Sequence, residues 1–351
     1  MPEITIKDIA RQCGVGVSTV SRAINNHPDI NPETKTMIMQ VINESGFVPN
    51  NSARNLKRTD AKCIAVLVKG ITNPFFSNMI KIIEEEIRKK KYTMVLQHVE
   101  YYEDEVNVAL QLEKEKRLRG VIFLGGIFAH SKEKLGNLHI PYIFTTIGSA
   151  APKSISKTSY SNIAVDDRKE SYRMTEYLIG LGHRDIAILT AESEFRSIGQ
   201  LRLEGYREAL KDKKIPVKEN LIRSAIEDIE HYSMENGYLT TKRLLEEKIP
   251  FTAIYATSDS LAVGACRALK EAGLKIPEDV SVAGFDGIDL GKYYNPSITT
   301  MKQPMEDMAY TTIRLLFDII SGKKAHEHIV FEAELIERES TAVMTKGAEH
   351  K

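Results

Sequence analysis

The chain has 351 residues, of which 42% are hydrophobic and 27% charged, and its formal net charge is zero. This length suits two or three domains of about 100–200 residues each, and the composition is typical of a soluble globular protein. No run of about 18 apolar residues exists to span a membrane. Met1–Thr5 lacks the basic and apolar regions of a secretion signal. A neutral chain does not coat nucleic acid nonspecifically, although a local patch can still bind DNA.

Three cysteines, Cys13, Cys63 and Cys266, lie far apart and form no CxxC pair or zinc-ligand spacing. This usage favours reduced thiols and therefore a cytoplasmic location. His326 and His328 stand close together, but two histidines in a loop are too few to predict a metal site.

The first sixty residues predict three short helices separated by tight turns. The first helix starts after Thr5, a suitable cap. Gly14 supplies the positive φ of a turn, and a second helix follows over about Val17–Asn25. The third begins with Asn31 as its cap and Pro32 in the first helical position. The predicted core of these helices consists of Ile6, Ile9, Ala10, Val15, Val20, Ala23, Ile24, Ile38, Val41 and Ile42.

The outer face of the second helix is small and polar. It presents Val17, Ser18, Thr19, Ser21, Arg22 and Asn25. A helix-turn-helix places its second helix in the major groove of DNA, where small side chains allow a close approach and an arginine can read guanine bidentately. We therefore predict that these residues, together with Thr5, contact DNA. The alternative is a three-helix scaffold whose polar face is only solvated.

The segment Phe47–Arg58 is, by itself, a polar linker of weak helical tendency with three cations.

Beyond about residue 61, apolar runs of strand length alternate with amphipathic helices in two series. The runs are Ile64–Val68, Met94–Leu96, Val121–Leu124 and Tyr142–Phe144, then Ile186–Leu189, Ala253–Tyr255 and Val280–Ala283. Such alternation predicts two α/β lobes, each a doubly wound parallel sheet with helices on both faces. Ligands of these folds bind at the carboxyl ends of strands, so the expected pocket is the cleft between the lobes.

Seven stretches behind the helix-turn-helix strengthen one resemblance. They are Asn73–Phe76, Leu181–Arg184, Arg202–Tyr206, Ser258–Gly264, Val280–Asp286, Thr299–Pro304 and Glu337–Ser340. With the head and with Pro49-Asn50, Ala53-Arg54 and Leu56, they make nearly the whole chain resemble the lactose/galactose-repressor (LacI/GalR) family of transcriptional regulators. The resemblance implies an all-α head and a body like that of periplasmic binding proteins, in which the chain crosses three times between the lobes.

The same resemblance implies the domain boundaries. The head would span residues 1–48 and a hinge 49–60. Crossings near residues 165, 299 and 330 would divide the body into lobe one, 61–165 with 300–329, and lobe two, 166–299 with 330–346.

In this family the hinge folds into a helix only on operator DNA, and a leucine matching Leu56 inserts into the minor groove and kinks the duplex. The resemblance therefore adds hinge residues to the predicted DNA contacts: Asn50, Ser52, Ala53, Arg54, Asn55 and Leu56. Gly16 departs from the serine common in the family, and Val17 and Ser18 occupy the positions that usually select bases. The operator sequence cannot be read from them.

Four residues are predicted to bind the effector: Phe75, Arg202, Ser258 and Asp286. Phe75 would pack on an apolar face of the ligand or else belong to the core. Arg202 matches the arginine that holds the effector in the family, and its alternative is an ordinary ion pair. Asp286 would accept hydrogen bonds from sugar hydroxyls or else form a turn. Ser258 stands where an asparagine often holds sugar, and Asp259 is predicted to cap the next helix.

The sequence thus predicts a homodimeric repressor of a near-palindromic operator, controlled by a small effector, a sugar or sugar phosphate. Residues 345–351 lack leucine heptads, which favours a dimer over a coiled-coil tetramer. No GxGxxG after the first strand, no P-loop and no paired-carboxylate motif predicts an enzyme, so no catalytic residue or cofactor is expected. The alternative is a sugar-binding carrier or receptor without a transcriptional role. A phosphorylated carrier protein that acts on lobe one is a further partner left open by the resemblance.

Overall fold

The computed structural model describes residues 4–24, 27–45, 62–126, 130, 132–147, 160–191 and 197–344. The chain forms two compact units, Met1–Ala61 and Lys62–Lys351, called here the head and the body. The hinge predicted over 49–60 lies outside the described residues.

In the head, three helices pack around a small apolar core: α1 (Ile6–Gln12), α2 (Val17–Ile24) and α3 (Pro32–Ser45). Gly14 has a φ of 65°, as the predicted turn requires. Oδ1 of Asn31 accepts hydrogen bonds from the backbone N of Glu33 at 2.8 Å and of Thr34 at 3.2 Å, which confirms the predicted cap. The predicted core is also confirmed, with Ile9, Ala10, Val20, Ala23, Ile38 and Ile42 buried and Ile6, Val15, Ile24 and Val41 packed against them.

The first part of the body alternates strands and helices. Its elements are β1 (Cys63–Lys69), α4 (Pro74–Lys89), β2 (Thr93–Val99), α5 (Glu105–Lys116), β3 (Leu118–Leu124), α6 (Lys132–Leu135), β4 (Tyr142–Thr145) and β5 (Ser161–Val165). The strands β1, β3, β4 and β5 are buried over most of their length because helices cover both faces of the sheet.

The second part of the body continues the alternation. Its elements are α7 (Asp167–Gly180), β6 (Ile186–Thr190), α8 (Ile198–Asp212), a single 3-10 turn (Glu219–Leu221), β7 (Ile222–Ser224), α9 (Met234–Glu246), β8 (Ala253–Ala256), α10 (Asp259–Glu271), β9 (Ser281–Asp286), α11 (Asp289–Tyr293), β10 (Thr299–Lys302), α12 (Met305–Ile320), β11 (His328–Phe331) and β12 (Glu334–Ile336).

Two six-stranded sheets form the centres of two lobes. Their strand orders are β11-β5-β4-β3-β1-β2 in lobe one and β12-β10-β9-β8-β6-β7 in lobe two. Neighbouring strands run parallel in both sheets except for β12, which pairs antiparallel with β10 at the edge of lobe two. The two-lobed α/β architecture is confirmed, and the antiparallel edge strand is its one departure, among the described residues, from purely parallel sheets.

The strand pairing corrects the predicted lobe boundaries by a few residues. Thr299–Lys302 pairs with Ala283–Asp286 of lobe two, so the second crossing follows Lys302 and not residue 299. Val330 and Phe331 pair with Ala164 and Val165 of lobe one, so the third crossing follows Phe331. The resemblance gave these crossings only as near residues 299 and 330, because it does not show where each short strand leaves its sheet.

Candidate functional site: the DNA-facing helix and the interlobe cleft

Helix α2 carries the predicted DNA-reading face of the head. Val17 is 41% exposed, Ser18 and Arg22 are exposed, and Thr19 and Ser21 are half-buried. On the opposite side of the helix, buried residues anchor it to the core of the head. The fold therefore places five of the predicted contacts on one helix.

Thr5 lies at the start of α1, where its backbone N donates to Oδ2 of Asp8 at 3.0 Å. Its hydroxyl donates to the same carboxylate oxygen, so the residue fixes the beginning of the helix. The other predicted DNA contacts lie outside the described residues: Asn25, Asn50, Ser52, Ala53, Arg54, Asn55 and Leu56.

The body contains a cavity of about 450 Å³ between its two lobes. Residues at or just beyond the carboxyl ends of strands line it from both sides: Lys69, Gly125 and Thr146 in lobe one, and Ala191 and Asp286 in lobe two. This is where parallel α/β sheets bind their ligands. Its volume lies in the range of about 300–1,000 Å³ that small-molecule sites occupy.

Arg202, on α8, is the buried cation of the cavity and is 4% exposed. Its Nε and Nη2 atoms lie 2.9 Å and 2.8 Å from Oδ1 of Asp167, and its Nη1 donates to the carbonyl of Thr257. The guanidinium also lies over the ring of Phe285, 3.6 Å from its centroid. These contacts fix a planar donor group in the wall of the cavity.

Asp286, the last residue of β9, is 5% exposed and has a φ of 106°. This backbone conformation is unfavourable for a residue other than glycine, and such strain often occurs at functional sites. Oδ1 of Asp286 accepts a hydrogen bond from Nε2 of Gln303 at 2.8 Å and lies 3.8 Å from Nη2 of Arg202. Burial raises the pKa of Asp286, while Arg202 stabilises its charged form.

The two lobes meet at Asp286. Nδ2 of Asn73, in lobe one, donates to Oδ2 of Asp286, in lobe two, at 3.3 Å. Asn73 also caps α4, because its Oδ1 accepts from the backbone N of Phe75 at 3.0 Å. The polar end of the cavity is thus shared by both lobes, and a ligand bound there contacts both.

Phe75 and Phe76 both line the cavity and are buried, with their ring centroids 5.5 Å apart in an edge-to-face arrangement. Phe75 therefore belongs to the core and also lines the cleft, so both alternatives predicted for its position apply. Ser258 is not among the lining residues. Its hydroxyl accepts from the backbone N of Leu261 at 3.2 Å and caps α10.

Asp259 does not cap that helix, and the prediction that it does was wrong. Its Oδ2 instead accepts hydrogen bonds from the backbone N of Gly287 and of Ile288, each at 2.8 Å. These bonds hold the turn that follows Asp286. Asp259 is therefore a structural residue, as expected. It does not cap a helix but holds the turn directly after Asp286.

The mouth of the cavity is aromatic and acidic. The rings of Tyr101 (lobe one) and His231 (lobe two) lie 4.1 Å apart between centroids, and burial lowers the pKa of His231. Next to them, Tyr102 is 85% exposed. The exposed carboxylates of the mouth are Glu100, Glu227, Asp228 and Glu230.

Sequence reasoning missed several of these residues. Asn73 and Gln303 lie inside two of the stretches that carry the family resemblance, so their side-chain amides were within reach of the prediction. Tyr101 and Tyr102 follow β2, and position after a strand was the only local signal for them.

In the described ranges, no group of three or more His, Cys, Asp or Glu residues is placed to hold a metal ion. Within those same ranges, none of the helices has the length and apolarity to cross a membrane.

A helical head with an exposed polar α2, attached to a two-lobed body with a cleft at the strand ends, defines a DNA-binding regulator with a ligand-binding body. The profile of bacterial regulatory proteins of the lacI family matches residues 5–50, and that of a periplasmic binding protein-like domain matches 175–341. The chain is 42% identical over 340 residues to the HTH-type transcriptional regulator MalR of Clostridium butyricum, covering 96% of this chain and 99% of the relative.

Two solved structures share this architecture. A complex of the transcriptional regulator CelR with cellobiose is 26% identical, with a TM-score of 0.68 over 96% of this chain and 100% of that one. A LacI family regulator of Enterococcus faecium with bound ribose is 30% identical, with a TM-score of 0.69 over 81% and 100% of the two chains. The chain belongs to the LacI family of transcriptional regulators.

Proposed function

We propose that the protein is a homodimeric repressor whose affinity for its operator is controlled by a small sugar, or sugar phosphate, bound in the interlobe cleft. The observation that carries this proposal is the hydrogen bond from Asn73 to Asp286 across the cleft. A ligand that competes for or completes this contact changes the relation between the lobes. Two conformations with different affinity for DNA are then linked to ligand binding.

The chemistry of the polar end suits a polyol. Arg202 donates hydrogen bonds, the carboxylate of Asp286 accepts them, and the amide of Asn73 does both. Phe75 supplies an apolar face beside them. A sugar ring carries hydroxyl donors and acceptors at its edge and C–H groups on its faces, and it matches this combination. The relatives with bound cellobiose and ribose support the same ligand class.

The head supplies the DNA contacts of the proposal. Helix α2 would enter the major groove with Val17, Ser18 and Arg22 towards the bases, and Thr5 would lie at the backbone. The segment 49–60 would act as the hinge, with Leu56 inserted into the minor groove. A dimer places two heads on successive major grooves, so the operator would be a near palindrome.

Selection from randomised duplexes by the purified full-length protein tests this function. The expected result is a near-palindromic motif whose binding weakens steeply with salt, because the protein displaces counterions from phosphates. Addition of a sugar that the body binds should change the affinity for the recovered duplex. A protein that binds sugar but selects no motif, with or without that sugar, would instead be a carrier or receptor.

A further inference from the structure

Resting on the proposed function, we propose that the effector is an uncharged saccharide of at least two rings, and that the site disfavours phosphorylated sugars. The first ring occupies the buried polar end of the cavity. The second ring reaches the exposed tyrosines at its mouth.

The cations of the cavity are already compensated by carboxylates of the protein. Arg202 has Asp167 at 2.8 Å and Asp286 at 3.8 Å. Nζ of Lys69 lies 3.1 Å from Oε2 of Glu105, whose side chain is 4% exposed, and donates to the carbonyl of Glu103 at 2.7 Å. Neither cation is therefore left unpaired to form a charge-assisted hydrogen bond with a phosphate dianion.

Apart from Asp286, which already faces Arg202, the described lining carries four further carboxylates, Glu100, Glu227, Asp228 and Glu230, and no further lysine or arginine. A β-carbon placed on Gly70 of lobe one would lie 3.9 Å from Oε1 of Glu230 in lobe two, so a mouth carboxylate approaches the opposite lobe. Carboxylates that line a cleft repel an anionic ligand, but they accept hydrogen bonds from neutral hydroxyl groups.

The aromatic residues lie at two depths, which indicates a ligand longer than one ring. Phe75 is buried in the wall of the cavity, whereas Tyr101 is 47% exposed and Tyr102 85% exposed. Tyr101 meets His231 of the opposite lobe at a centroid distance of 4.1 Å, so the outer aromatic wall is completed from both lobes. A saccharide that spans both depths places a ring against each aromatic group and buries C–H surface at both.

Calorimetry with the full-length protein tests the proposal. The probes are glucose, the disaccharides maltose, cellobiose and trehalose, and the monophosphate esters of glucose and of maltose. At least one disaccharide should bind about tenfold or more tightly than glucose, and esterification with phosphate should weaken binding by a similar factor.

Two variants locate the effect. Tyr102→Ala should weaken disaccharide binding and leave glucose binding unchanged. Its control is Tyr293→Ala, which removes a tyrosine 78% exposed outside the cavity and should change the binding of neither sugar.

Glu227→Gln combined with Glu230→Gln should lessen the discrimination against the phosphate esters. Glu246→Gln, at an exposed position of α9 outside the lining, is its control.

The outcomes separate this inference from the proposed function. Tighter binding of a phosphate ester, or equal binding of glucose and the disaccharides, overturns the inference and leaves a sugar-controlled repressor intact. If no sugar in the panel binds while the protein still selects an operator, the protein remains a DNA-binding regulator, but the proposal that a sugar is its effector is wrong as well.

Discussion

Asn73 of lobe one and Asp286 of lobe two are joined by a hydrogen bond of 3.3 Å, although 213 positions separate them in the chain. The same Asn73 caps α4 through its other side-chain atom and so fixes the backbone at Phe75. One side chain therefore couples the apolar wall of the cavity to the contact between the lobes. This double role makes Asn73 a sensitive position for testing the contact between the lobes.

Asn73→Asp should weaken effector binding by about tenfold or more near neutral pH. Aspartate still caps the helix, but it replaces the donor with a carboxylate that faces the carboxylate of Asp286. Burial already raises the pKa of Asp286, and the added like charge raises it further, so acidification should protonate the pair and restore binding. Calorimetric titrations at neutral and mildly acidic pH measure this change.

Asn73→Ser is the matched control, because serine retains the cap and introduces no charge. Its loss of affinity should be smaller and independent of pH. Equal losses in both variants at every pH would show that the contact with Asp286 is unimportant for effector binding.

Arg202→Ala should abolish the effector response. It also leaves the buried carboxylates Asp167 and Asp286 without their cation, which should cost about 3–5 kcal/mol of folding free energy. Effector titration by calorimetry and operator binding by gel shift, both below the lowered melting temperature, separate the two effects. Arg207→Ala on the same helix, where the arginine pairs with Glu219 at the surface, is the control. A normal effector titration of Arg202→Ala would mean that the site lies elsewhere.

Arg22→Ala should reduce discrimination between operator and random duplex by about 1–3 kcal/mol while nonspecific binding persists. In the proposed complex, Arg22, at an exposed position of α2, would contact base edges. Competition gel shifts at fixed salt measure the ratio of affinities. Arg267→Ala, which removes an exposed arginine from α10 in the body, should leave that ratio unchanged. The same ratio in wild type and Arg22→Ala would exclude α2 as the reading helix.

Leu56→Ala should lower operator affinity and remove the bend in the bound DNA, since an inserted apolar side chain kinks a duplex by about 20–90°. Permuted-duplex gel mobility or energy transfer between the DNA ends measures the bend. A wild-type complex on straight DNA would contradict the proposed hinge.

Asp259→Asn should stabilise the protein by about 1–3 kcal/mol at about pH 8. Burial, with Asp286 nearby, raises the pKa of Asp259 to about 7. The folded state therefore holds this proton more tightly than the unfolded chain, and the stability from it is lost as the pH rises through about 7. Asparagine removes the buried charge and retains an oxygen for the two backbone N–H groups.

The difference between variant and wild type is the quantity to follow, because buried histidines such as His183 titrate in both proteins. Chemical denaturation should show a stability gain that shrinks as the pH falls towards about 5. Asp212→Asn, at an exposed position, serves as the control. A constant difference across this pH range would mean that Asp259 keeps an ordinary pKa in the folded protein.

Local features of the head and of the strands were predictable from sequence because short-range spacing encodes them. Gly14 marks the turn, Asn31 caps α3, and Ile9 and Ile38 are buried as their helical spacing predicts. In the body, apolar runs such as Ile64–Val68 form strands, since covered strands of a parallel sheet are apolar on both faces.

Position after a strand indicated Asp286, and the family resemblance indicated Arg202. Both line the cavity, as does Phe75; that they bind the effector stays a prediction. Ser258 does not line the cavity. Its hydroxyl caps the N-terminus of α10. A residue type at a family position indicates a role only when its local backbone leaves the side chain available.

The sequence by itself therefore determined the helix-turn-helix, the two α/β series and the sheet edge at which the interlobe cavity forms. Only the tertiary structure decided that Asn73 meets Asp286, that Asp259 holds the next turn, and that acidic side chains from both lobes meet at one mouth. The reason is physical: periodicity and capping act over a few residues, whereas these contacts depend on how two distant sheets pack, and no local pattern records the partner.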